Sequence, residues 1–192
     1  MLTLVTGGAA SGKSEYAERL AAACDGPRVY IATMRPLDKE SVARIEKHRA
    51  ARADRRFSTI ERYHDLKGLR LPCGTNAVLL ECMSNLAANE LFGGPVELTE
   101  ENAAALTEKT ADKITADLFR LRENCGHLVL VTNDIFADRD GEATLVQAYK
   151  QVLGTVNCRM AAAADTVIEV TAGIADVWKG AERRSADYEC VE

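Results

Sequence analysis

The first fourteen residues constrain the fold more than any other stretch of the chain. A β-prone run, Leu2-Thr3-Leu4-Val5-Thr6, leads directly into Gly7-Gly8-Ala9-Ala10-Ser11-Gly12-Lys13-Ser14. This second stretch fills all four fixed positions of the pattern G-x-x-x-x-G-K-[ST], and strong helix formers follow it up to Ala23. A strand, a loop of small residues and a helix N-terminus direct successive backbone N–H groups at one point, where a polyphosphate binds. The stretch therefore predicts a nucleoside triphosphate site that includes every residue from 7 to 14.

Two side chains of this loop carry the predicted chemistry. Lys13 supplies a positive charge to the β- and γ-phosphates, and we predict that it is catalytic. The hydroxyl of Ser14 is placed to ligate Mg²⁺, which is the expected cofactor.

The rest of the chain alternates strand-like and helix-like segments. Strands are predicted at 2–6, 28–33, 57–61, 76–82, 127–133 and 165–171, and helices at 14–23, 38–52, 84–91, 99–124 and 142–164. The run 76–82 is almost continuously apolar, as in a central parallel strand that is covered on both faces. We predict an α/β fold of the P-loop NTPase-like (RecA-like) type, with a doubly wound, mostly parallel sheet and helices on both faces. The 192 residues are expected to form one domain with a polar tail from about residue 175.

Polar residues at the predicted strand ends are further candidates, because ligands bind at the carboxyl ends of strands in such sheets. Glu81 follows four apolar residues, in the place where P-loop enzymes hold Mg²⁺ with an acidic residue. Thr33 and Asn133 also end strands, and for each a turn or capping role is as reasonable as ligand binding.

Composition excludes several classes of function. The net charge of −5 and the absence of a basic run interleaved with aromatic residues argue against nucleic-acid binding. The first residues lack a basic signal-peptide region and no apolar run has the length of a membrane span, so a cytoplasmic protein is expected. The six cysteines form no C-x-x-C pair and are predicted to be reduced thiols, several of them in the core.

Composition alone assigns no functional role to any of the three histidines. His48 lies in a helix rich in arginine and lysine, which is typical of a solvated basic face. His64 and His127 have no distinguishing context and are predicted to be structural.

A series of motifs, in order, resembles the bifunctional cobinamide kinase/cobinamide-phosphate guanylyltransferase family of corrinoid biosynthesis. The resemblance runs from Met1 to about Ile174. The motifs are T-G-G-x-x-S-G-K-S at 6–14, Y-I-A-T at 30–33, R-I-x-x-H-x-x-x-R at 44–52, T-x-E at 59–61, Leu79-Leu80-Glu81-Cys82 with Asn89, Val131-Thr132-Asn133, and G-x-V-N at 154–157 before Ala161–Ala164-Asp165.

The resemblance implies a function and a set of site residues. His48 corresponds to the family's nucleophile, which becomes guanylylated. The resemblance therefore reverses the interpretation of this residue as part of a solvated basic face. The implied reaction phosphorylates adenosylcobinamide with GTP or ATP and then transfers GMP from GTP, giving adenosylcobinamide-GDP. A homotrimer is also implied. The implied nucleotide contacts beyond the phosphate loop are Ile31, Ala32, Thr33, Arg49, Ala50, Ala51, Arg52, Glu61 and Glu81.

The chain departs from the family pattern at three places. Ala10 stands where the family usually carries arginine, and Cys158 stands where it carries glutamine. The family's N-E-V-G-x-G-I-V-P becomes Asn133-Asp134-Ile135-Phe136-Ala137-Asp138-Arg139-Asp140-Gly141, without the two glycines and the proline in that register. Two alternatives therefore stand beside the bifunctional enzyme: a small-molecule P-loop kinase without guanylyl transfer, and a nucleotide-sensing module without catalysis.

Overall fold

The computed structural model describes residues 1–52, 55–136 and 143–180, except for some side chains of the second helix. Those side chains belong to Glu40, Arg44, Lys47, His48, Ala50, Ala51 and Arg52. The strands are β1 (Leu2–Thr6), β2 (Arg28–Ala32), β3 (Phe57–Glu61), β4 (Ala77–Glu81), β5 (His127–Val131), β6 (Thr166–Thr171) and β7 (Ile174–Lys179). The helices are α1 (Lys13–Ala22), α2 (Lys39–Arg52), α3 (Met83–Phe92), α4 (Ala103–Glu123) and α5 (Thr144–Ala163).

These strands form one sheet in the order β3-β2-β4-β5-β1-β6-β7. Every neighbouring pair is parallel except β6 and β7, which are antiparallel. The predicted mostly parallel α/β sheet is therefore confirmed, and β3 and β7 lie at its two edges. β1 lies between β5 and β6, so the loop that follows it emerges in the interior of the sheet.

Alternate residues of the strands pack into two apolar layers, because successive side chains of a strand point to opposite faces. One layer joins residues such as Leu4, Leu80 and Leu130 to helices α3, α4 and α5. The other joins Val5, Leu79 and Val131 to α1, among other residues. Helices thus cover both faces of the sheet, as predicted.

The central strands are apolar along their whole length because both of their faces are buried. Ala77, Val78, Leu79 and Leu80 of β4 have no exposed surface. Full burial of one leucine side chain contributes on the order of 2 kcal/mol, so these strands anchor the fold. The carboxylate of Glu81 comes directly after them, at the carboxyl edge of the sheet.

Strand β7 was not predicted: it occupies residues for which the sequence indicated a polar tail. It pairs with β6 through a tight turn in which Ala172 and Gly173 have φ angles of 51° and 82°. Ala175 and Val177 pack against the layer beneath α1, whereas Ile174 and Trp178 on the alternate positions are exposed. An exposed edge strand of this kind carries a weak apolar signal, which explains the missed element.

The carboxyl edge of the parallel strands carries the phosphate loop, the residues that follow β2 and β4, and the segment that follows β5. Within the described ranges, no helix combines the length and the apolar character that crossing a membrane requires.

Candidate nucleotide site

The phosphate loop joins β1 to α1 and has a backbone that only small residues permit. Gly12 has a φ of 88°, a left-handed conformation that favours glycine, immediately before the first turn of α1. A Cβ atom on Gly7 would lie 2.3 Å from the carbonyl oxygen of Val170, so a side chain is excluded there. The two fixed glycines of the pattern G-x-x-x-x-G-K-S therefore also have a reason in the local geometry of the loop.

Lys13 begins α1 with its side chain folded back across the loop. Its Nζ donates a hydrogen bond to the carbonyl oxygen of Gly8 at 2.9 Å, and the residue is 7% exposed. Burial lowers the pKa of Lys13 below the ordinary lysine value, and the nearby Cys82 and Glu81 oppose this shift. The lysine thus holds its charge within electrostatic reach of Glu81 on the central strand.

Ser11 has a hydroxyl group that lacks a hydrogen-bond partner among the described residues, although the atom is buried. A buried hydroxyl without a partner is costly, so an acceptor such as a phosphate oxygen would relieve it. This observation supports the predicted use of the loop.

Two other segments hold the loop from the sides. The Gly173 N–H, in the turn between β6 and β7, donates to the carbonyl oxygen of Ser11 at 2.9 Å. The Asp134 N–H, after β5, donates to the carbonyl oxygen of Gly7 at 3.1 Å. The phosphate loop is therefore fixed by backbone contacts from residues far away in the sequence.

Glu81 ends β4 and is held through both its main chain and its side chain. Tyr30 of β2 donates its hydroxyl proton to Glu81 Oε2 at 2.9 Å. The hydroxyl of Thr33 donates to the Cys82 carbonyl oxygen at 2.8 Å and accepts from the Cys82 N–H at 2.6 Å. Thr33 is fully buried, so its hydroxyl joins the ends of β2 and β4.

A cleft of about 60 Å³ lies between α2 and the carboxyl ends of β2, β3 and β4. Arg49 of α2 forms an ion pair with Glu61 at the end of β3, and Tyr63 donates a hydrogen bond to the same carboxylate at 2.8 Å. The lining residues are Tyr30, Ala32, Met34, Ile45, Arg49, Thr59, Glu61, Glu81, Cys82 and Asn85. The cleft thus brings together four of the predicted site residues: Ala32, Arg49, Glu61 and Glu81.

The other predicted residues discussed next do not line this cleft in the described part of the structure. His48 lies within α2, but its side chain is outside the described part of the structure, as are the side chains of Ala50, Ala51 and Arg52. Ile31 is fully buried in the apolar layer beneath α3, α4 and α5, so its side chain does not reach the cleft. In the segment after β5, Asn133 donates to the Ser84 hydroxyl at 2.7 Å. Of the segment 134–141, where the chain departs from the family pattern, residues 137–141 lie outside the described residues.

Sequence reasoning did not identify Tyr30 as a site residue. The only signal for it was its place in the motif Y-I-A-T, where an aromatic residue in an apolar strand indicates core packing. Its contact with Glu81 depends on the lateral pairing of β2 and β4.

The positions of the described histidines and cysteines agree in part with what the sequence predicted. His127 lies between Thr3 and Cys24, with its ring nitrogens 2.9 Å from the threonine oxygen and 3.3 Å from the sulfur atom, which is a structural role. The described cysteines are free thiols. Of these only Cys82 is buried, which corrects the expectation that several cysteines lie in the core.

The site offers oxygen donors of the kind that Mg²⁺ prefers. Among the described residues, no group of three or more histidine, cysteine or acidic side chains forms a metal cage. The predicted donors are instead the Ser14 hydroxyl and the Glu81 carboxylate. Mg²⁺ in phosphoryl-transfer sites is typically bound by one or two protein oxygens together with phosphates and water, and this donor set fits that chemistry.

A larger cavity of about 670 Å³ lies at the opposite edge of the sheet. Thr75 and Gly126, which line it, lie just before β4 and β5, so the cavity borders the amino ends of these strands. Its lining contains none of the predicted site residues.

Comparisons with known proteins agree with the motifs. Residues 3–177 match the model of the family described as cobinamide kinase / cobinamide phosphate guanyltransferase. The bifunctional adenosylcobalamin biosynthesis protein CobU of Salmonella typhimurium is 38% identical over 178 residues, covering 91% of this chain and 97% of that protein. The protein of the same name from Escherichia coli is 37% identical over 179 residues, with the same coverage.

The fold is also shared with a solved structure of low sequence identity. The flagellar accessory protein FlaH from Methanocaldococcus jannaschii superposes with a TM-score of 0.54 at 15% identity, covering 95% of this chain and 82% of that one. This similarity concerns the fold alone, and the predicted RecA-like fold class is confirmed.

Proposed function

The chain belongs to the cobinamide kinase / cobinamide phosphate guanylyltransferase family, and from this premise we propose how its residues divide the two reactions. The kinase and guanylyltransferase activities in cobalamin biosynthesis follow from the family. The proposal adds the acceptor adenosylcobinamide, the residues of each step, and a covalent intermediate on His48.

In the kinase step, the phosphate loop holds the triphosphate of GTP or ATP. The hydroxyl oxygen of the aminopropanol arm of adenosylcobinamide attacks the γ-phosphorus, the bond to the β,γ-bridging oxygen breaks, and the hydroxyl proton leaves to solvent. Lys13 and the backbone N–H groups of the loop stabilise the charge on the phosphate oxygens. Ser14 and Glu81 would hold Mg²⁺, which neutralises phosphate charge when it is bound.

In the transferase step, a neutral imidazole nitrogen of His48 attacks the α-phosphorus of GTP. The P–O bond breaks, pyrophosphate leaves, and a phosphoramidate links GMP to the histidine. A phosphate oxygen of the cobinamide phosphate then attacks the same phosphorus, the P–N bond breaks, and adenosylcobinamide-GDP forms with the histidine regenerated.

One observation carries the proposal for His48. The helix α2 that contains His48 forms one wall of the cleft, through Ile45 and Arg49 on either side of it in the sequence. The same cleft contains Glu81, whose carboxylate acts on Lys13 of the phosphate loop. The helix and the loop therefore both lie near Glu81, and this arrangement supports one nucleotide site for both steps.

Arg49 and Glu61 are proposed to bind the nucleotide. The guanidinium of Arg49 is suited to phosphate, and the carboxylate of Glu61 is suited to the ribose hydroxyls or to the guanine N1–H and amino group. Their ion pair at the mouth of the cleft positions both groups before a nucleotide arrives.

Labelling with GTP that carries ³²P at the α-phosphorus tests this proposal. The wild-type protein is expected to retain label that survives alkali and is lost in mild acid, as a phosphoramidate does. The variant His48→Asn should lose the label and largely keep kinase turnover. The matched control is His64→Asn, which changes an exposed histidine away from the cleft and should label normally.

The outcomes separate the alternatives. A wild-type protein that acquires no label would support the alternative of a kinase without guanylyl transfer. Label that persists in His48→Asn would exclude His48 as the nucleophile. Labelling should also fall at acidic pH, since only a neutral imidazole attacks. The homotrimer and the cytoplasmic location implied above belong to the same proposal, and light scattering on the purified protein tests the trimer.

A further inference from the structure

Tyr30 and Glu81 lie on neighbouring parallel strands and on the same face of the sheet. Ala32 of β2 is paired with Glu81 of β4, and Tyr30 precedes Ala32 by two residues. Residues two apart in a strand share a face, so the tyrosine side chain extends along the sheet towards the carboxylate. Its hydroxyl group donates to Glu81 Oε2 at 2.9 Å.

The tyrosine ring is held rigidly. Tyr30 is 4% exposed and belongs to the apolar layer beneath α1. Its ring meets that of Phe57 edge to face, with the centroids 6.3 Å apart and the planes at 72°. A ring fixed on its sides presents the hydroxyl group at one defined point of the cleft wall.

The main chain beside Glu81 is fixed as well. Thr33 bonds both polar atoms of the Cys82 backbone, and the Thr33 N–H donates to the Glu81 carbonyl oxygen at 3.0 Å. Because the backbone of Glu81 is anchored, its carboxylate can move only by rotation about the side-chain torsion angles. The hydrogen bond from Tyr30 restricts that rotation.

We propose that Tyr30 is a positioning residue for the metal-binding carboxylate: its hydroxyl holds Glu81 Oε2 and so would keep the carboxylate oriented for a Mg²⁺ bound with the nucleotide. The inference rests on the proposed role of Glu81. Hydrogen-bonding partners of metal ligands orient those ligands, and removing one typically lowers metal affinity by a factor of ten or more. Tyr30 would therefore act on metal affinity through Glu81.

The variant Tyr30→Phe removes the hydroxyl oxygen and keeps the ring. Mn²⁺ serves as the probe, and its binding to the full-length protein with a non-hydrolysable GTP analogue is followed by electron paramagnetic resonance. The dissociation constant for Mn²⁺ is expected to rise about tenfold. The Mg²⁺ concentration for half-maximal kinase rate should rise in parallel, whereas kcat at saturating Mg²⁺ should stay within about twofold of the wild type. An unchanged Mn²⁺ affinity would overturn the proposal.

Tyr63→Phe is the matched control, since Tyr63 makes the same kind of bond, at 2.8 Å, to Glu61. It should leave Mn²⁺ affinity as in the wild type, and an equal loss in both variants would contradict a specific role for Tyr30. A double variant separates direct from indirect action: Tyr30→Phe should weaken metal binding no further in a Glu81→Gln background. A full additional loss in the double variant would show that Tyr30 acts independently of Glu81.

This test is distinct from that of the proposed function. A missing GMP adduct on His48 with an intact tenfold effect on Mn²⁺ would remove the guanylyltransferase mechanism and keep the role of Tyr30. A normal adduct with no metal effect would do the reverse.

Discussion

The ammonium group of Lys13 lies 2.9 Å from the carbonyl oxygen of Gly8, five residues earlier in the same loop, and donates a hydrogen bond to it. Lys13 is almost completely buried, and burial is the largest influence on its pKa, which it lowers. The loop therefore contains a largely desolvated cation, which the carbonyl oxygen of Gly8 and the negative charge of Glu81 compensate in part. A polyphosphate supplies far stronger compensation, and this explains why the lysine is suited to nucleotide binding.

Lys13→Ala is expected to abolish both half-reactions, because one phosphate cradle serves both. Loss of a charge that stabilises a phosphoryl transition state should lower each rate on the order of 10²-fold or more. Separate assays of kinase turnover and of GMP labelling check this. Near-normal labelling in the variant would show that the two reactions use different phosphate sites.

Nucleotide affinity is expected to fall at alkaline pH. The pKa of Lys13 is lowered from 10.5, so the free protein loses this charge at a pH below the ordinary lysine range. Above the lowered pKa, binding must first restore the proton, and affinity should fall by about tenfold per pH unit. Fluorescence titration with a labelled GTP analogue measures the effect. The weaker binding that remains in Lys13→Ala should lack this alkaline decline, and a decline of the same size there would assign it to another group.

Glu81→Gln should weaken Mg²⁺-dependent turnover without unfolding the protein. The amide keeps the size of the side chain but loses the charge that attracts a cation, so the Mg²⁺ concentration for half-maximal turnover should rise about tenfold or more. Raising Mg²⁺ should partly restore the rate. A wild-type Mg²⁺ dependence would mean that Glu81 is structural.

Gly12→Ala should destabilise the protein, whereas Gly8→Ala should not. A Cβ on Gly12 would lie 3.3 Å from the Gly173 Cα atom, and its φ of 88° is strained for alanine. A Cβ on Gly8 would meet nothing within 4 Å. The free energy of unfolding, measured with urea, should fall by about 1–2 kcal/mol for Gly12→Ala and by less than about 0.5 kcal/mol for Gly8→Ala. Equal losses would contradict the close approach of the two loops.

Thiol reactivity should follow exposure and pKa. Cys73 and Cys158 are exposed, whereas burial raises the pKa of Cys125 to about 11 and also raises that of Cys82. Because the thiolate is the reactive form, iodoacetamide at pH 8 should modify Cys73 and Cys158 well before Cys125 and Cys82. Peptide mass spectrometry over a time course checks the order. Early modification of Cys82 would show that the end of β4 opens readily.

Local patterns predicted the parts of the fold that depend on local sequence. The apolar run before Glu81 defined β4, and the small residues before Lys13 defined the phosphate loop. Strand β7 was not predicted, because its turn, Ala172-Gly173, lacks the asparagine or aspartate that usually marks such turns. In addition, one face of the strand is exposed.

The contacts that complete the site were beyond prediction from local patterns. The bond between Tyr30 and Glu81 joins residues 51 positions apart and depends on which strands become neighbours. The same holds for the contact of Arg49 with Glu61, since it depends on where α2 crosses the ends of β2 and β3. The predicted ends of the strands indicate which residues lie at the same edge of the sheet. The order of the strands within the sheet decides which of these residues are in contact.

The bond between Ser11 and Gly173 has a consequence for synthesis of the chain. The phosphate loop is synthesised before β5 and β6, the strands that flank β1, and before the turn after residue 171 that fixes the loop. Until residues 127–173 have been made, therefore, the phosphate loop lacks both the strands that flank β1 and its lateral support. The surroundings of the phosphate loop therefore cannot be completed in the order of synthesis, because the loop gains its last backbone support only when the hairpin of β6 and β7 has formed.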